Sequence, residues 1–123
     1  MLKVAMGVIS AAAMVAAAPA LAHGQEIPNN LERCGADAKG PAVLVDVRGF
    51  AAATGKVRVQ SYPGTKAAWL EKGEWLSRID VPAKPANGGM RFCMPVPHPG
   101  TYGIAVRHDR DGNGKTDISR DGG

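Results

Sequence analysis

The stretch KVRVQSY, residues 56–62, decides the fold class of this chain. Apolar and polar side chains alternate along it, with Val57 and Val59 on one side and with Lys56, Arg58 and Gln60 on the other. A period of two with β-branched residues on one side is typical of a strand that buries only one face. The stretch therefore predicts an antiparallel strand whose valines face a core.

The same alternation returns in four other stretches of the chain. VLVDVR (43–48) and TYGIAVRH (101–108) have it clearly, while EWLSRIDV (74–81) and MRFCM (90–94) alternate less cleanly. The first places Val43, Val45 and Val47 opposite Leu44, Asp46 and Arg48, and the second aligns Tyr102, Ile104, Val106 and His108. YPGTKAAWLEKG (62–73) has room for a short helical turn around Trp69 and Leu70, and PAKPANGG (82–89) reads as loop. Several short strands without a long helix predict an all-β protein, a small antiparallel β-sandwich.

The first 22 residues have the pattern of a cleavable signal peptide. Lys3 precedes an apolar run of small residues, and Ala20-Leu21-Ala22 has the small-x-small form that signal peptidase recognises. The alternative, an uncleaved anchor, needs a longer and less alanine-rich run. The sequence therefore predicts a periplasmic or secreted protein that begins at His23 and has no transmembrane segment after cleavage.

The mature chain is long enough for one small domain of about a hundred residues. We divide it into an irregular N-terminal segment, 23–40, and a β-sandwich domain, 41–123. Without Lys3, fourteen basic residues face eleven acidic ones, and this balance of +3 is spread along the chain. No run of like charge marks a nucleic-acid-binding protein, and export argues against that class.

Two cysteines, Cys34 and Cys93, remain in a chain that is predicted to enter an oxidising compartment. An even count in that setting indicates a disulfide. The alternatives are a redox pair or metal ligands, but the sequence has no CxxC motif and no matching Cys/His spacing. A structural bridge would tie the N-terminal segment to a strand of the core.

HDRDGNGKTD, residues 108–117, is the densest polar cluster of the chain. Oxygen ligands recur as in a calcium loop that starts at Asp109, with Gly114 at the sixth position, where such a loop turns sharply. The predicted ligands are Asp109, Asp111, Asn113, the carbonyl group of Lys115, and Asp117. Arg120 stands at the twelfth position in place of the usual bidentate glutamate, so loop 109–120 predicts weak calcium binding outside an EF-hand. The alternative is an ordinary polar turn.

Two stretches also carry a family resemblance. PGTYGIAVRHDRDGNGKTD (99–117) and LVDVRGFAAATGKVRVQSY (44–62) resemble the hallmark loop and the opening hairpin of the exported bacterial family called domain of unknown function 2141 (DUF2141). The resemblance runs from about Pro41 to the end. It implies a transthyretin- or prealbumin-like β-sandwich of no established activity. Family members usually continue past the loop into closing strands, so we expect that this chain lacks its C-terminal strand or strands.

Three classes of function remain open. The first is a binding or structural module that calcium stiffens, with a ligand surface near Trp69 and Trp75 and an envelope glycan or protein as candidate partner. For both tryptophans, packing in the core is the simpler expectation. The second is a hydrolase that uses the acidic loop with His108, although no serine lies in a nucleophile elbow. The third is a copper-binding protein that uses His23 as its N-terminus together with His98 or His108. We favour the first class, with no catalytic residues assigned.

Overall fold

A computed structural model of the chain describes residues 24–112. These residues form short strands and one 3₁₀ helix, Leu31–Cys34. The strands are β1 (Gln25–Glu26), β2 (Ala42–Arg48), β3 (Lys56–Pro63), β4 (Ser77–Pro82), β5 (Gly89–Pro95) and β6 (Tyr102–Asp109). Each of the five stretches with alternating side chains overlaps one of the five longer strands, as the sequence predicts.

The strands form two sheets that pack as a small β-sandwich. One sheet has four strands in the order β1-β4-β3-β6, and the other pairs β2 with β5. All pairings are antiparallel except that of β1 with β4, which is parallel. The predicted all-β class is therefore confirmed.

The core lies between the two sheets and is built from the apolar side of each alternating strand. Val57, Val59 and Ile79 are buried in the four-stranded sheet, and Phe92 and Met94 are buried in the two-stranded sheet. The valines at positions 43, 45 and 47 pack against them from β2. Because successive side chains of a strand point to opposite faces, the polar residues between them lie outside.

β2 and β3 do not pair as the hairpin that the family resemblance implies. β2 pairs with β5, while β3 lies between β4 and β6 in the other sheet. Residues 49–55 therefore cross from one sheet to the other. This arrangement lets the valines of both strands meet face to face across the core instead of side by side in one sheet.

The segment expected to be irregular, 23–40, is partly regular where it is described. Ile27 N–H donates to the Arg78 carbonyl beyond the end of β1, at 2.9 Å. The side-chain amide of Asn29 then bonds the edge of β5 that faces away from β2, since Nδ2 donates to the Arg91 carbonyl and Oδ1 accepts from Cys93 N–H, at 2.9 and 3.0 Å. We call residues 24–34 the N-terminal strap, because it joins the two sheets.

The predicted disulfide ends this strap. Cys34 at the end of the 3₁₀ helix is bonded to Cys93 of β5, which is fully buried. The structural bridge that the sequence indicates is therefore present, and the N-terminal segment is linked covalently to the two-stranded sheet.

Residues 64–73, which we call the Trp69 loop, contain the expected helical turn. Trp69 N–H donates to the Thr65 carbonyl at 3.1 Å, and the Thr65 hydroxyl accepts from Ala68 N–H at 3.2 Å. The turn is a single one and carries Trp69 over the four-stranded sheet.

The signal peptide predicted for residues 1–22 lies outside the described residues. Among residues 24–112, none of the helical segments is both long enough and apolar enough to cross a membrane.

Candidate functional site

The structure describes two of the five predicted calcium ligands. Asp109 closes β6 and is 4% exposed, and Asp111 follows it in an exposed turn. Gly112 N–H donates to the Asp109 carbonyl at 3.1 Å and so begins to fold the chain back. Asn113, Lys115 and Asp117 lie outside the described residues, so the calcium loop stays a prediction. Within residues 24–112, no three His, Cys, Asp or Glu side chains gather as a metal site would require.

Gly55 fixes where the loop begins. Its backbone has a φ of +76°, and a Cβ atom there would overlap the Asp109 carbonyl oxygen and would lie 2.6 Å from the Arg110 carbonyl. Only glycine allows the β2–β3 connection to pass so close to the end of β6. The position of Asp109 is therefore set by main-chain packing.

His108 and Asp109 do not form the pair that a hydrolase would need. They are successive residues of β6, so their side chains point to opposite faces of the sheet. His108 Nε2 lies 2.8 Å from the Thr54 carbonyl, to which it donates, and its ring packs edge-on against Phe50 at 5.2 Å. This confirms the expectation of a histidine packed at the strand end, and the geometry gives the hydrolase alternative no support.

The copper alternative gains no support from the sheet order. His23 lies outside the described residues, but Gly24 N–H donates to the Trp75 carbonyl beside β1. His108 is on β6, at the opposite edge, and His98 contacts Tyr102 on that same strand. Three strand spacings separate β1 from β6, roughly 14 Å, which is several times the length of a copper–nitrogen bond.

The arginines of three strands meet on the outer face, by which we mean the face of the four-stranded sheet that is turned away from the core. Arg58 lies directly between Asp80 of β4 and Arg107 of β6. Its Nη2 and Nε contact Asp80 Oδ2 at 2.8 and 3.3 Å. In the next row, Gln60 lies between Arg78 and Ala105. Arg58 and Arg107 are therefore direct neighbours on β3 and β6 and line the same groove.

Arg78 is held by an aromatic ring and an amide. Its guanidinium carbon lies 3.8 Å from the centre of the Trp75 ring, and its Nε donates to Gln60 Oε1 at 2.6 Å. Burial lowers the pKa of Arg78 below its usual value, and the charge of Arg58 lowers it further. Arg78 is therefore a partly buried cation that lies near a second cation, Arg58.

Trp69 and Tyr62 form an aromatic wall at the other end of this face. Their rings meet edge-on at 5.4 Å, and the Tyr62 hydroxyl accepts from Gln60 Nε2 at 2.8 Å. Trp69 can lie on the sheet because Gly103 has no side chain, since a Cβ atom there would come within 2.5 Å of the indole ring. Trp69 nevertheless stays 42% exposed. The expectation that both tryptophans pack in the core is therefore wrong, because Trp69 and Trp75 both lie on the outer face.

A groove of about 480 Å³ runs between the aromatic wall and the two opposed arginines. Ala105 contributes to its floor, and Leu70 stands beside Trp69 with 58% of its surface exposed. A second, larger groove lies between the N-terminal segment and the end of β5, and its lining includes Pro28, Pro41 and Pro95. The first groove combines apolar surface with convergent polar groups, as ligand sites do.

Sequence reasoning missed the arginines of this groove. The signal was present, since KVRVQ, SRID and AVRH each place an arginine on the outward side of a strand. The missing information was the pairing, which alone brings the arginines of β3 and β6 opposite each other.

The fold and this site define a small disulfide-bridged β-sandwich with a basic groove beside an aromatic wall. Residues 45–122 match the model of a family described as an uncharacterised protein conserved in bacteria (DUF2141). The match covers more than half of the chain, so the protein belongs to that family, as the sequence resemblance indicates. Comparison with curated proteins and with solved structures gave no match. The β-sandwich is established, and the transthyretin-like form of it stays a prediction.

Proposed function

We propose that this protein is an exported binding module that holds a ligand in the groove on its outer face. The observation that carries the proposal is the groove itself, in which the partly exposed Trp69 lies on the side opposite Arg58 and Arg107, with Ala105 in the lining. The exposed part of the Trp69 ring is not used for packing in the core. It is well suited to contact a ligand.

Export is supported by two features that sequence and structure supply independently. Residues 1–22 have the order of a signal peptide, and Cys34 is bonded to Cys93. Disulfides persist in oxidising compartments and are rare in the cytosol of mesophiles. Both features support the proposal that the mature protein, from His23 onward, is in the periplasm or outside the cell.

In this proposal, loop 109–120 is a calcium-dependent structural brace. Asp109 and Asp111 would supply carboxylate oxygens directly after β6, and Asn113, Lys115 and Asp117 would complete the set. Three carboxylates in so short a loop repel each other, and a cation removes that repulsion. The brace would hold the end of the strand that also carries Arg107.

The binding role is tested with the isotope-labelled protein that begins at His23. Envelope glycan fragments, short peptides and small organic anions are titrated while the backbone amide signals are followed. We expect one of these classes to shift amides of β3, β6 and the Trp69 loop. Trp69→Ala should remove the response while the other amide signals show an intact fold.

The binding proposal is wrong if no member of the three classes shifts these amides at millimolar concentration. It is also wrong if the shifted amides lie only in the two-stranded sheet, because the ligand would then occupy another surface.

A further inference from the structure

We propose that the groove binds a small organic anion whose acidic group lies between Arg58 and Arg107 and whose apolar ring lies against Trp69 and Leu70. This inference rests on the proposed binding function and adds the chemistry of the ligand. Charge, shape and backbone strain support it separately.

The charge argument begins with the pairing of Arg58 and Arg107. The two arginines lie directly opposite each other on neighbouring strands, so one ligand group can reach both. The ion pair with Asp80 occupies Nε and Nη2 of Arg58, and Nη1 is the group that we assign to the ligand. A carboxylate or phosphate between the two guanidinium groups would accept charge-assisted hydrogen bonds from both.

The polar groups that line the groove also favour an anion. The groove contains the two guanidinium groups, the amide of Gln60 and the hydroxyl group of Tyr62, and the described residues that line it include no carboxylate. Asp80 is on the far side of Arg58, and Asp109 lies two residues beyond Arg107 at the strand end. A cationic ligand would therefore meet like charge, whereas an anion meets donors.

The shape of the groove sets the size of the ligand. Trp69 lies over Gly103, and Arg107 is four residues further along the same strand, which corresponds to roughly 13 Å. Ala105 lies between them and keeps the floor low. A flat ring on Trp69 and an acidic group at Arg107 fit one molecule about 10 Å long.

Leu70 has a strained backbone conformation that is not compensated by burial of its side chain. Its φ is +60°, a region that branched side chains rarely adopt, yet its side chain is 58% exposed. Strained backbone conformations cluster at active sites and ligand contacts. Leu70 extends the apolar wall of Trp69 at the edge of the groove.

The test uses 2-naphthoate as the probe and 2-naphthamide as its neutral counterpart, with acetate as the anion that lacks a ring. Binding is measured by calorimetry and by amide shifts on the disulfide-bonded protein from His23. We expect naphthoate to shift amides of β3, β6 and the Trp69 loop. The neutral amide should bind about tenfold more weakly, the loss expected for one charge-assisted hydrogen-bond pair, and acetate should also bind more weakly.

Arg107→Gln and the matched control Arg91→Gln separate this site from general attraction to a basic protein. Arg91 is an exposed arginine of β5 in the other sheet, and its replacement removes the same charge. We expect roughly a fivefold loss of naphthoate affinity in Arg107→Gln and no loss in Arg91→Gln. Arg107→Lys keeps the charge and should show an intermediate affinity, and Trp69→Ala should weaken naphthoate without a change of charge.

The outcomes separate the anionic-ligand inference from the proposed binding function. Equal affinity for naphthoate and naphthamide, with shifts in the groove, would overturn the anionic ligand and leave the binding function standing. Equal losses in Arg107→Gln and Arg91→Gln would show that the charge effect is unspecific. If naphthoate leaves the groove unchanged but a glycan or peptide shifts it, the anion inference fails alone. If no class of ligand shifts it, both proposals fail.

Discussion

At the scale of single residues, Gly55 and Gly73 share a backbone conformation and differ in what surrounds them. Their φ angles are +76° and +80°, but a Cβ atom at Gly55 would overlap the Asp109 carbonyl, while one at Gly73 would meet nothing within 4 Å. We therefore expect Gly73→Ala to cost about 1 kcal/mol of unfolding free energy, and Gly55→Ala to cost about 3 kcal/mol or more. Urea unfolding of both variants measures the difference.

The comparison isolates the main-chain contact, because the conformational cost is common to both substitutions. Similar losses in the two variants would show that the end of β6 can move away from Gly55. The buried position of Asp109 would then not be fixed by this turn.

Replacement of Leu70 should change the stability of the protein and its affinity for naphthoate in opposite directions. Asparagine adopts a positive φ more readily than leucine, and the exposed Leu70 side chain has little packing to lose. Leu70→Asn should therefore raise the free energy of unfolding by roughly 0.5 to 1 kcal/mol, as thermal unfolding would report, while it weakens naphthoate. A clear loss of stability would mean that Leu70 contributes to the fold and that its strain needs no ligand.

The sequence predicted which valines face the core, but it did not predict where Trp69 lies. The inward valines of β2 and β3 follow from alternation alone, and the structure confirms them. Alternation could not show that Trp69 lies on the outer face, because the vacant position that receives its ring is Gly103, on a strand more than thirty positions away. A side chain that packs against a distant glycine leaves no local signal.

At the scale of elements, the strands were predictable and their partners were not. Local period and β-branched residues define a strand, but the choice of sheet depends on contacts between distant segments. The family resemblance suggested a β2–β3 hairpin, whereas residues 49–55 cross between sheets. One turn was predictable from the sequence, because Asn-Gly is a preferred pair for a type I′ turn. Asn87 and Gly88 both have the positive φ that this turn requires.

Loop 109–120, which begins at the end of β6, is predicted to bind calcium weakly. With no bidentate glutamate at its twelfth position, the loop should bind calcium with a Kd on the order of 10⁻⁴ to 10⁻³ M. At about 10 mM calcium this affinity stabilises the folded protein by roughly 1.4 to 2.7 kcal/mol. Calorimetry and thermal unfolding of the protein from His23, with and without calcium, measure both effects.

Asp111→Asn is the informative variant for this loop, because the residue is exposed and its replacement does not disturb the core. It should abolish most of the stabilisation by calcium. Asp46→Asn is the matched control, since Asp46 is an exposed carboxylate of β2 that contacts Arg48 at 3.3 Å. If calcium produces neither heat nor stabilisation, or if both variants respond alike, the loop is an ordinary turn.

At the scale of the whole molecule, the N-terminal strap and its disulfide connect the two sheets. The strap pairs with β4 of one sheet, and Cys34 is bonded to Cys93 of the other, 59 positions away. On the chain-entropy account, a bridge that closes a loop of this length contributes about 4 kcal/mol. Since small domains unfold with about 5 to 15 kcal/mol, this is a large share of the total.

We therefore expect Cys34→Ala to lower the free energy of unfolding by about 4 kcal/mol. Thiol alkylation of the native, unreduced wild type should modify neither cysteine, because the two are bonded to each other. Full alkylation of both residues would contradict the bridge. A variant as stable as the wild type would show that the strap holds without it.

Asn29 tests whether the strap works as one unit. Its side chain makes two hydrogen bonds with the edge of β5, one of them to N–H of the buried Cys93. In the disulfide-bonded protein, Asn29→Ala should cost about 1 to 3 kcal/mol, because it leaves that buried donor unsatisfied. Once Cys34→Ala has freed the end of the strap, water can reach the same edge, and Asn29→Ala should cost less.

Urea unfolding of the two single variants and the double variant gives the coupling directly. Groups that share one element typically couple by about 0.5 to 3 kcal/mol, and we expect a value within that range here, with the double variant losing less than the sum of the single losses. Strictly additive losses would mean that Asn29 and the disulfide hold β5 independently. The two sheets would then be joined by separate contacts along the segment and not by one cooperative strap.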